Sequence, residues 1–87
     1  MNANDIKSIL TSVFNPSQIE VVDDSGRHKR HKEAKTHGGG HYSVRIVSEM
    51  FAGKTLIERH QMIYQALVMP RPEIHALSIV ARIEKEI

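Results

Sequence analysis

The chain has no cysteine among its 87 residues. That excludes disulfide staples and thiolate metal ligation by this chain alone, and it fits a reducing compartment. Aromatic residues are scarce: Phe14, Phe51, Tyr42 and Tyr64, most at positions expected in the core, which leaves little surface for base stacking. No apolar run approaches the roughly 18 residues of a membrane span. The opening Met1-Asn2-Ala3-Asn4-Asp5 has neither a basic segment with an apolar core nor an arginine-rich transit pattern, so a cytoplasmic protein with no membrane association is expected. Internal repeats are absent. No nucleophile, base and orienting group stand at an interpretable spacing, so no enzymatic activity is expected.

Histidine, by contrast, is plentiful. Four of the six histidines, His28, His31, His37 and His41, fall within one fourteen-residue stretch, while His60 and His75 lie in segments that read as ordered. Imidazole titrates near neutrality and is the commonest protein ligand for borderline metals, so the pattern raises the question of a metal centre. The same stretch concentrates charge. Residues 27 to 37 hold five Lys/Arg against one Glu, a local +4, and the formal net charge of +2 therefore leaves the rest of the chain at −2. Runs of like charge repel and stay solvated, so residues 24–40 are expected as a mobile, basic, His-rich loop within a single domain spanning 1–87. A loop of that length is also one where function is expected.

Periodicity orders the elements. Ile6, Ile9, Leu10, Val13 and Phe14 recur at helical spacing between Asn4-Asp5 and Asn15-Pro16, an amphipathic helix with one buried face. Gln18 to Asp23 alternates as a strand, and His41 to Ser48 does so more clearly, with Tyr42, Val44 and Ile46 on one side. Phe51-Ala52-Gly53 turns the chain into a second helix. The apolar face of that helix is read as Leu56, Ile57, His60, Ile63, Tyr64 and Leu67, with Lys54, Glu58, Arg59, Gln61 and Gln65 on the polar side. His60 is accordingly expected as a hydrogen-bonded core residue. Pro70-Arg71-Pro72 stops the helix. Ile74 to Ile83 reads as a third strand with both faces covered, and Glu84 to Ile87 as the start of a short helix. The sum is an α+β sandwich, αββα(α)β(α), with helices on one face of a three-stranded sheet and the first two strands antiparallel.

Three segments together carry a family resemblance. Ile46-Val47-Ser48-Glu49-Met50-Phe51-Ala52-Gly53, Arg59-His60-Gln61-Met62-Ile63-Tyr64 and Ile74-His75-Ala76-Leu77-Ser78-Ile79 resemble the signature of the BolA family, in order and at nearly its spacing. The resemblance runs from the first helix to about Glu86. It implies a fold similar to the class II KH domain, structural roles for Phe51 and Gly53, and an adaptor that partners a monothiol glutaredoxin. It further implies a [2Fe–2S] cluster shared between them, with cysteine and glutathione supplied on the partner side, imidazole on this side, and nothing bound when the chain is alone. The family's strand ligand maps onto His75. Its loop ligand maps best onto His28, with His31 and His37 as nearby substitutes. Two imidazoles replace two thiolates on one iron in Rieske centres, so a cysteine-free half-site is chemically sound. Because imidazole must be neutral to bind, affinity should weaken as pH falls through about 6.5.

The resemblance also implies a second class of function, DNA binding in transcription regulation. Arg27, Lys29, Arg30, Lys32 and Lys35, joined by Arg59 and Arg71, would contact phosphate, and binding would fall steeply with salt. Against it, Gly53-Lys54-Thr55-Leu56 lacks the second glycine of the Gly-x-x-Gly loop through which KH domains bind nucleic acid. A weak homodimer is a further expectation. The family's acidic end to the second helix is replaced here by Val68-Met69-Pro70-Arg71-Pro72, and its C-terminal aromatic by Ile87.

Overall fold

The first helix, α1, spans Ala3–Phe14 and starts earlier than Asn4-Asp5 suggests, because Asn2 caps it. The Asn2 side chain accepts from the Asp5 N–H at 2.9 Å while the Asp5 carboxylate accepts from the Asn2 N–H at 3.0 Å, satisfying two otherwise orphaned donors. Asn15 ends the helix in the left-handed region, φ 44°, its N–H donating to the Thr11 carbonyl, and Pro16 follows. Ile6, Leu10 and Phe14 are buried and Ile9 packs beside them, but Val13 is 44% exposed, so the buried stripe is narrower than the sequence pattern.

A computed structural model describes residues 1–25 and 40–87. Strand β1 (Gln18–Asp23) pairs antiparallel with β2 (Gly40–Val47), Asp23 lying opposite Tyr42. Strand β3 (Ile74–Arg82) pairs parallel to β2, with Tyr42, Val44 and Ile46 opposite Leu77, Ile79 and Ala81. The order is β1-β2-β3. The parallel pair follows from the connection: between β2 and β3 the chain passes through helix α2 (Leu56–Ala66), and such a crossover returns the next strand in the same direction.

Both helices lie against one face of the sheet. Ile6, Leu10 and Phe14 of α1 and Ile63 and Leu67 at α2 join Tyr42, Val44, Ile46, Ala81 and Ile83 in one core. Phe51 is fully buried, its ring 5.0 Å from that of Phe14. On the opposite face Glu20, Val22, Arg45, Ser78 and Val80 are exposed. β3 is thus covered on one side only, not on both. Gly53, at φ 74°, makes the turn into α2 in a conformation that favours glycine.

Helix α2 differs most from its sequence pattern. Thr55 caps it in a capping box with Glu58, as two hydrogen bonds of 2.8 and 3.1 Å. Its face is rotated, however: Leu56, Ile57 and Tyr64 are 56%, 71% and 42% exposed, His60 is exposed, and Arg59 is buried. His60 is therefore a surface residue and not part of the core. The reason lies in Arg59, whose guanidinium donates to the Ala81 carbonyl at 3.0 Å, the Lys54 carbonyl at 3.0 Å and both Glu86 carboxylate oxygens at 2.7 and 3.0 Å. A charge this well satisfied can occupy an inward position that a hydropathy pattern assigns to an aliphatic residue. The last residues form a 3-10 turn, Glu84–Glu86, which the same ion pair holds to α2.

Candidate metal half-site

The site lies at the end of the sheet where β2 and β3 both begin. Parallel strands start at the same edge, so His41, second in β2, and His75, second in β3, become neighbours although 34 positions separate them in the chain. Their ring centroids are 5.0 Å apart and the planes are inclined at 38°. The pairing register slips between Gly40 and His41, placing Gly40 opposite Ile74 and His41 opposite Ala76.

The backbone at this edge is held from several directions. The Gly40 N–H donates to the Glu73 carbonyl at 3.1 Å, and the Asp24 N–H to the His41 carbonyl at 2.7 Å. The His41 N–H donates to Ser25 Oγ at 3.0 Å. A side chain on Gly40 would begin only 2.5 Å from the Tyr42 ring, so any larger residue at the start of β2 displaces that ring. Ser43 Oγ donates to the Asp24 carboxylate, and the Ser25 N–H to Asp23 Oδ1 at 2.8 Å. That backbone bond, then the Ser25 hydroxyl, lowers the Asp23 carboxyl below its ordinary range. Burial, then the negative charges of Asp23 and Asp5, raises the Tyr42 phenol, whose hydroxyl donates to the Met1 carbonyl at 3.1 Å. On the β3 side, Arg71 braces the approach to His75 by donating to the Leu67 carbonyl at 2.8 Å and to the Glu73 carboxylate at 3.1 and 3.3 Å.

Two imidazoles at this separation suit a shared metal. With metal–nitrogen bonds of about 2.0–2.1 Å, two rings on one tetrahedral ion place their centroids roughly 5 Å apart. Among the described residues no group of three or more His, Cys, Asp or Glu is placed to hold a metal ion; His41 and His75 stand as a pair. The adjacency of His41 to His75 is not legible in the sequence, which places His41 at the start of a strand without showing that this strand runs parallel to the one that begins at Ile74.

The remaining candidates divide by position. His28, His31 and His37, and with them Arg27, Lys29, Arg30, Lys32 and Lys35, lie outside the described residues, as does most of the expected mobile loop 24–40. Arg59, expected to contact phosphate, is buried and engaged with Glu86 and Ala81, so it is not a surface cation; Arg71 is engaged with Glu73. Phe51 is fully buried, and Gly53 turns the chain at φ 74°.

Residues 10–86 match the family model of the BolA-like proteins. The chain belongs to this family. Protein BOLA2 of Arabidopsis thaliana is 42% identical over 85% of this chain and 69% of its own length. The DNA-binding transcriptional regulator BolA of Escherichia coli is 35% identical over 85% of this chain and 68% of its own. A third relative, SufE-like protein 1 of Arabidopsis thaliana, is 37% identical over 94% of this chain, which spans only 24% of that longer protein. Among solved structures, BolA1 from Arabidopsis thaliana superposes with a TM-score of 0.83 at 30% identity, covering 100% of this chain and 96% of that one. The α+β architecture of two helices on a three-stranded mixed sheet is therefore that of the BolA-like family. Among the described residues, no helix is long and apolar enough to cross a membrane.

Proposed function

We propose that this BolA-like protein is an adaptor that partners a monothiol glutaredoxin and supplies the histidine half of a shared [2Fe–2S] cluster, in iron–sulfur trafficking or iron and redox regulation. The observation that carries this reading is the side-by-side placement of His41 and His75 at one sheet edge, two imidazoles with no third ligand among the described residues. His75 is the strand ligand, and His41 is the second imidazole in position beside it; His28 is the loop alternative. The cluster would supply one-electron chemistry and a labile iron–sulfur unit. This chain's part is to present two imidazoles on a backbone braced by Ser25, Glu73 and Arg71. Glutathione and thiolate belong to the partner side, and the cytoplasmic setting expected from the sequence accords with a half-site of this kind.

Anaerobic reconstitution with a monothiol glutaredoxin and glutathione tests the reading by visible absorption and circular dichroism. The mixture should give a spectrum distinct from that of glutaredoxin alone, and His75→Ala should abolish the difference. Comparing His41→Ala with His28→Ala then identifies the second ligand. A spectrum identical to that of glutaredoxin alone overturns the proposal.

A second reading, DNA binding in transcription regulation, is favoured by the name of the Escherichia coli relative and by the local +4 of residues 27 to 37. With Arg59 buried, that role falls to Arg27, Lys29, Arg30, Lys32 and Lys35. Titration of duplex DNA at several salt concentrations separates the two: a complex lost in the Arg30→Ala, Lys32→Ala double variant but retained by His75→Ala supports DNA binding.

A further inference from the structure

The end of the sheet opposite the histidines holds a cavity of about 340 Å³. It opens where α1 ends, β1 begins and two 3-10 turns meet, Glu49–Phe51 after β2 and Glu84–Glu86 after β3, and Phe14 and Met50 give it apolar walls. Two carboxylates, Glu49 and Glu84, line it as well. Glu84 Oε2 accepts from Ser17 Oγ at 2.9 Å, and Glu49 Oε2 accepts from the Glu84 N–H at 2.9 Å, so both are held in place. Neither forms an ion pair among the described residues, whereas the nearby Glu86 is taken up by Arg59. The C-terminal end of α1, which carries partial negative charge, meets the same cavity, and no basic residue stands in its last turn to offset it.

We propose that this cavity docks a Lys- or Arg-bearing peptide segment of a protein partner. The aliphatic stem of the inserted side chain lies along Phe14 and Met50, and its cationic head sits between Glu49 and Glu84. The volume is at the lower end for ligand sites and suits one long side chain, not a folded domain. A bare divalent cation fits less well, because two carboxylates beside apolar walls leave its coordination unfilled. Met50, 51% exposed, stands where a peptide would enter. The seven steps of extended chain from His41 to Ser48 separate this cavity from the histidines by about 23 Å, so both ends can be occupied at once. An adaptor with one partner at the histidine edge and a basic segment at the other end would hold the two together.

The test uses the isotope-labelled 87-residue chain and a blocked peptide of alternating leucine and arginine, followed by amide chemical shifts. The amides of Asn15, Met50 and Glu84 should shift on titration while that of His75 does not. Met50→Arg places a cation at the entrance on a half-exposed position that the fold tolerates, and should weaken binding at least about tenfold. Glu49→Gln keeps its acceptor for the Glu84 N–H and should weaken binding by a few-fold, with a steep loss in added salt. Shifts scattered over Glu20 and Asp23, unchanged affinity in Met50→Arg, equal binding of spermidine or free arginine, or no binding at millimolar peptide would each overturn the proposal.

Discussion

The Arg59 guanidinium grips the Glu86 carboxylate through paired hydrogen bonds of 2.7 and 3.0 Å, and this pair closes the C-terminal turn onto helix α2. Glu86 also accepts from the Ile83 N–H at 2.7 Å, so a single carboxylate ties the end of the chain to the helix and to its own turn. Replacing Arg59 by Met removes the guanidinium from the Lys54 and Ala81 carbonyls and leaves the Glu86 carboxylate with the Ile83 N–H alone. The loss expected in urea unfolding is about 2 to 3 kcal/mol.

The same pair sets an acid response. Hydrogen bonding from Arg59, then from the Ile83 N–H, lowers the Glu86 carboxyl from 4.5 to about 2 in the folded protein. A depressed carboxyl contributes stability that is fully present above about pH 4.5 and is lost as pH falls from there towards 2. Glu86→Gln should flatten the pH dependence of unfolding in that window and leave it unchanged near neutrality.

Phe51, just before α2, and His60 within it make a contrasting pair of tests, the first for the core and the second for the phase of α2. Phe51 is fully buried against Phe14, and Phe51→Ala should cost about 3 to 5 kcal/mol in chemical unfolding. His60 is exposed, and His60→Ala should change stability by less than about 0.5 kcal/mol. A large loss at His60 would contradict the surface position.

Gly40 and Gly53 are restricted for different reasons. At Gly53 the backbone is at φ 74° and nothing stands within 4 Å of an added Cβ, so Gly53→Ala should cost about 1 kcal/mol from backbone strain alone. At Gly40 an added Cβ would meet the Tyr42 ring at 2.5 Å, next to His41. Gly40→Ala should therefore shift the His41 and His75 ring resonances in NMR spectra, whereas Gly53→Ala should leave them in place.

Ser48 joins the end of β2 to the end of α1. Its buried hydroxyl donates to the Phe14 carbonyl at 2.7 Å and accepts from the Met50 N–H at 3.2 Å. Ser48→Ala leaves that carbonyl without its donor, and thermal unfolding should show a loss of about 1 to 2 kcal/mol.

Local chemistry makes much of this fold legible in the sequence. The stripe of Ile6, Leu10 and Phe14, the alternation of Tyr42, Val44 and Ile46, and the stop before Pro16 each depend on neighbours a few residues away, and all recur in the structure, whereas α2 already ends at Ala66, ahead of Pro70. The family motifs around Phe51, Arg59 and His75 are equally readable, because they are contiguous. The second imidazole is not: His41 and His75 share a motif only in space.

Sequence alone thus determined the elements, their order and the family, since periodicity, capping and turn residues act over short distances. Tertiary structure decided the rest. Arg59 turns inward because its partners Ala81 and Glu86, 22 and 27 positions further on, satisfy a charge that would otherwise be costly to bury. His41 meets His75 because the crossover through α2 makes β2 and β3 parallel, and parallel strands bring their first residues to a common edge.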